Sequence, residues 1–102
     1  MTDGQTLRPR FQPGQIVATP GALEALKAAG QGPGEFLNRH LRGDWGELHP
    51  DDRRLNDQAL VDGSRILLCY TTKAGATLWI ITEAVGDDGR RASSTLLLSD
   101  EY

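Results

Sequence analysis

At Arg65 the hydropathy period of this chain changes from helical to alternating, and it does not change back. Arg65–Thr72 and Ala76–Ala84 are rich in β-branched and aromatic residues and are joined by Lys73-Ala74-Gly75, a short glycine-containing link that signals a hairpin. A third run, Ala92–Leu98, follows the polar loop Gly86–Arg91. Three such runs in succession predict an antiparallel meander. Leu67, Cys69, Leu78, Ile80 and Leu97 are expected on one face, with Ile66, Leu68, Tyr70, Trp79, Ile81, Leu96 and Leu98 on the other alternation. Both faces are then apolar. One must pack on helices, which leaves the other to be covered by the amino-terminal segment or presented as an interaction surface.

Upstream of Arg65 the signals are helical. Thr19-Pro20 combines a capping hydroxyl with a proline in the first turn, Leu23, Leu26 and Ala29 recur at helical spacing, and Gly30 ends the run. A second helix is expected from Pro33-Gly34, with Phe36, Leu37, His40 and Leu41 on one face and Gly43 closing it. The third opens at Pro50, carries Asp51 and Asp52 against the positive end of its dipole, buries Leu55, Ala59 and Leu60, and stops at Gly63. Residues 1–13 are polar, hold two prolines and show no periodicity, so they read as a flexible arm. Ile16 and Val17 form a short extended piece able to add at a sheet edge. The expected fold is a single α+β domain over residues 14–102: two to three short helices on a three-stranded antiparallel meander, with room for an amino-terminal edge strand.

A chain of 102 residues suits one core, and its apolar fraction of 38% and charged fraction of 25% are those of a folded domain. No stretch approaches a membrane span, and Met1–Thr6 lacks the pattern of a signal peptide, so a cytoplasmic location is expected. Cys69 is the single cysteine, which removes an internal disulfide and reads as a small core residue. The net charge of −3 does not favour nucleic acid as a partner, since that affinity comes from clustered Lys and Arg. The charge is unevenly spread. Residues 43–64 hold two basic and six acidic groups.

Three groups of residues bear on chemistry. His40, Asp44 and Trp45 meet around Gly43 and Gly46, where an imidazole beside a carboxylate is the minimum for general-base hydrolysis. The same corner reads as structure, with Trp45 a plug and His40 on the buried stripe of its helix. His49, Asp51 and Asp52 lack any metal-ligand spacing and are explained by a helix start, so no metal is expected. Arg65, Arg90 and Arg91, with Thr82, Ser94 and Thr95, suit charge stabilisation in a ribonuclease-like site, or simply a soluble loop and polar strand positions. No phosphate loop, dinucleotide fingerprint or serine elbow occurs, so no cofactor is expected.

The stretch His40–Gly46, then Asp52, Asn56 and Ala59-Leu60, then Leu78–Glu83, Ser94–Leu98 and Glu101-Tyr102 resembles a group of small bacterial proteins described as plasmid-related. The likeness covers about residues 14–102. In that group a shorter Asp-Arg-Ser turn leads into Thr-Thr, whereas here Gly86–Arg91 intervenes and Ser94 stands for the first Thr. The resemblance implies a setting on plasmids or other mobile elements rather than an activity.

These readings lead to a small accessory protein of a plasmid or other mobile element that binds another macromolecule stoichiometrically, a protein being favoured by charge over nucleic acid, for example to inhibit a host defence complex. Trp45, Trp79 and Tyr102 are its expected anchors, and Asp51 and Asp52 its acidic contacts with a basic partner surface. The alternative is a metal-independent ribonuclease-like toxin with His40 as base, oriented by Asp44, and Arg65 as charge stabiliser. A homodimer is a third possibility.

Overall fold

The computed structural model describes residues 9–102. Its elements are β1 (Gln15–Ala18), α1 (Pro20–Ala28), α2 (Pro33–Leu41), α3 (Pro50–Asp62), β2 (Ile66–Thr71), β3 (Thr77–Thr82), β4 (Ser93–Leu98) and a short 3-10 turn, Ser99–Glu101. The α+β class is as expected, but the sheet is four-stranded and mixed. The meander supplies β2, β3 and β4, and β1 joins as an edge strand parallel to β4, in the order β1-β4-β3-β2.

Register decides which residues face the helices. Leu68 pairs with Ile80 and Tyr70 with Leu78, while Leu78 pairs with Leu98 and Ile80 with Leu96. The inner face is therefore Ile66, Leu68, Tyr70, Leu78, Ile80 and Leu96, all buried. The expected grouping of Leu78 and Ile80 with Leu67 and Cys69 is corrected by one strand's inversion: paired residues share a face, and a one-residue shift moves every side chain of a strand across. The outer face is Leu67, Cys69, Trp79, Ile81 and Leu97.

The helices close the inner face with Ala22 and Leu26 of α1, Phe36 and His40 of α2, and Asn56 and Ala59 of α3. Two expected stripes shift. Leu23 and Leu55 point outward at 46% and 67% exposure, and Ala22 and Asn56 take the inward positions. Asn56 is inward because its carboxamide pairs with both the carbonyl and the amide of Leu67, occupying the edge of β2 as another strand would. Further along that edge Gly46 bridges to Cys69. Gly46 has φ +68°, and a Cβ there would strike the Cys69 carbonyl and the Tyr70 ring, so glycine is required.

Of the expected arm, residues 1–8 lie outside the described residues. Residues 10–13 are docked rather than loose: the Arg10 amide donates to the Leu41 carbonyl at 2.7 Å, and Phe11 packs against the core.

Candidate functional site

The corner between α2 and α3 is a packed joint. His40 has no exposed surface. Its Nε2 lies 2.7 Å from Thr82 Oγ1, which lies 2.6 Å from Ser94 Oγ, and Ser94 Oγ donates to the Pro13 carbonyl at 2.9 Å. That end point fixes the direction of the row. Ser94 spends its proton on Pro13, Thr82 donates to Ser94, and His40 must carry its proton on Nε2 to donate to Thr82. Nδ1 is left as a buried lone pair without a hydrogen-bond partner among the described residues. The ring is edge-on to Phe11 at 5.2 Å and to Trp45 at 5.9 Å. Burial, aided by the charge of Arg91, lowers the His40 pKa to about 3.

Asp44 is not a hydrogen-bond partner of this imidazole. Its carboxylate accepts from Arg39 Nε at 2.8 Å and from the Gly46 amide, and the Arg39 hydrogen bond holds its pKa below the usual range. Arg65 precedes β2, whereas Gly46 meets that strand at Cys69, four residues on and therefore about 13 Å away. The Arg65 guanidinium donates to the Tyr102 hydroxyl at 3.0 Å. His40, Asp44 and Arg65 thus have separate partners and form no common cleft, which corrects the expected catalytic set. Trp45 is corrected as an anchor as well. It is 2% exposed, with Nε1 donating to Asp57 at 2.8 Å.

The remaining expected binding residues gather on the other side of the sheet. Trp79 is half-buried in the middle of the outer face, and the Tyr102 ring lies 5.8 Å from it, tilted by 33°. The 3-10 turn places Tyr102 there. Glu101 accepts from the Thr19 hydroxyl at 2.6 Å and from the Leu98 amide at 2.8 Å, tying the turn to the start of α1. Beside Trp79 a groove of about 230 Å³ runs between α3 and the sheet, lined by Leu48, Asp52, Leu55, Leu67 and Arg65. Asp51 sits next to it in the first turn of α3, engaged by Arg54. Four of the five expected binding residues therefore share one region.

Sequence reasoning missed two buried polar residues. Asn56 reads as a polar helix position until its strand partner is known. Arg91, taken for a solubilising loop residue or a charge stabiliser, is 7% exposed and donates to the carbonyls of Ser64 at 2.6 Å, Glu83 at 3.0 Å and Ala59 at 3.0 Å. It binds the carboxyl end of α3, whose last turn has no basic residue of its own. Cys69 is half-buried on the outer face beside Glu47 rather than in the core, and burial followed by that carboxylate raises its pKa. Among the described residues no three His, Cys, Asp or Glu side chains come together as a metal site, and no helix is long and apolar enough to cross a membrane. No family model, curated protein or solved structure matches this chain.

Proposed function

We propose that the chain is a stoichiometric binding protein that captures a basic, apolar-tipped segment of a protein partner on its outer sheet face. The observation that carries this reading is the Trp79–Tyr102 pair beside the groove of Leu48, Leu55 and Leu67. Exposed Leu55 and Tyr102 beside half-buried Leu48, Leu67 and Trp79 around a concavity have the composition of an interface centre, where aromatic anchors supply most of the affinity. Asp52 in the groove and Asp51 beside it set the charge of the partner. The resemblance to plasmid-related proteins adds a setting, and a basic surface of a host defence complex is a partner of the right chemistry.

The toxin alternative has lost its base. An imidazole with no exposed surface and a pKa near 3 is neutral, but it is walled off from a phosphodiester.

Selection of a displayed peptide library on the folded chain tests the reading. Recovered peptides should combine Lys or Arg with Leu, Phe or Trp, and Trp79→Ala or Asp52→Lys should each weaken them at least tenfold with an unchanged circular dichroism spectrum. Peptides of acidic composition, or affinities indifferent to both substitutions, would refute it.

A further inference from the structure

A second concavity shares no residue with the groove. It opens where Arg10–Gly14 passes the carboxyl end of α3 and the loop after β3, and its volume is about 720 Å³. That volume lies within the range of small-molecule sites. Among the described residues its lining includes Arg10, Arg90 and Arg91 and no Asp or Glu, in a chain whose net charge is −3. Asp62 and Asp88 stand near the cleft without lining it, Asp62 close enough to act electrostatically on Arg91. Asp62 accepts from the Ser64 amide at 2.9 Å and Asp88 from the Arg90 amide at 2.9 Å. None of the three arginines forms a salt bridge among the described residues.

Arg91 makes this more than a surface cluster of cations. Its guanidinium is held by three carbonyls, which use three of its five N–H groups and neutralise none of its charge. A fixed, largely desolvated cation in the wall is a preorganised partner for an anion, because its orientation is already set before a ligand arrives. Much of the rest of the lining is apolar. Phe11 lies under the Arg91 guanidinium at 5.6 Å, and Leu60, Val61 and Val85 continue it, with Val61 88% exposed. Exposed valines beside arginines match neither bulk water nor a bare inorganic ion.

We propose that this cleft binds a small organic anion with an apolar body: an aryl or acyl carboxylate, sulfonate or phosphate ester whose charged end meets Arg90, Arg10 and Arg91 and whose body lies on Phe11, Val61 and Val85. The site is independent of the protein-binding face, and each can fail without the other.

The test uses the folded chain and 8-anilinonaphthalene-1-sulfonate, a fluorescent probe of this class. Its fluorescence should rise with one equivalent bound. N-phenyl-1-naphthylamine, with the same body and no charge, should bind at least tenfold more weakly. Arg90→Glu and Arg10→Glu, both at exposed positions, should each reduce sulfonate affinity at least tenfold, Arg90→Glu without lowering the melting temperature, whereas Trp79→Ala should leave the affinity unchanged. Equal binding of the uncharged probe would overturn the proposal, as would indifference to both arginine substitutions or loss of binding in Trp79→Ala. Inorganic phosphate that displaces the probe at equimolar concentration would overturn the apolar half of the site, leaving a bare ion site.

Discussion

His40 is the residue where chemistry and architecture compete, and architecture wins. Its proton on Nε2 feeds the row through Thr82 and Ser94 to Pro13, so the imidazole ties α2 to β3, β4 and the docked Arg10–Pro13 segment. Because the folded pKa of about 3 lies below the ordinary 6.5, the unfolded chain takes up the proton first. The contribution to stability is therefore complete above pH 6.5 and is lost as pH falls towards 3, at up to about 1.4 kcal/mol per pH unit. Urea unfolding of the wild type should lose about 2 kcal/mol between pH 6.5 and 5, above the range where carboxylates titrate. His40→Gln keeps a donor towards Thr82 but cannot titrate, so its stability should be flat over that interval. A flat wild-type profile would mean that the ring reaches water.

At the scale of elements, the β2 edge is the informative case. A sheet edge left open pairs with whatever strand it meets, and this one is closed by a helix side chain, Asn56, and a loop glycine, Gly46. Asn56→Ala leaves the Leu67 amide and carbonyl without their partners and should cost about 2 kcal/mol, or roughly 10 °C in melting temperature. Asn56→Asp should cost more, because a carboxylate presents an acceptor to the Leu67 carbonyl. Equal melting temperatures for wild type and Asn56→Ala would mean that water replaces the amide at no cost. Helix starts at Thr19-Pro20 and Pro50, the hairpin and the change of period at Arg65 were all legible in the sequence, since each rests on local chemistry. The face of β3 was not, although the clue was present: a link at Lys73–Gly75 already pairs even residues with even. Apolar residues on both alternations hid that consequence. Asn56 and Arg91 escaped for a different reason, because their partners are backbone groups 8 to 32 residues away and leave no pattern in a single chain.

For the whole molecule, the question is whether the outer face is covered by a second copy of the chain or by something else. Tyr102 lies against Trp79, Arg65 reaches Tyr102, and Ile81 and Leu97 on the same face are already buried to 7% and 8% exposure. What stays open is the groove along α3, bordered by Asp51 and Asp52. A two-fold contact centred on this groove would set the acidic start of α3 near its own copy, in a molecule that already carries −3. Arg65 lines the groove and Arg54 engages Asp51, so Asp52 is the carboxylate left to oppose its own copy and to favour a basic partner. Sedimentation equilibrium at low salt should give the 11.1 kDa monomer. A particle of twice that mass, split by Trp79→Glu, would instead make the second copy the occupant of the face. Added salt separates the cases again: it screens the repulsion and would strengthen a homodimer, but weakens a basic segment held by Asp51 and Asp52.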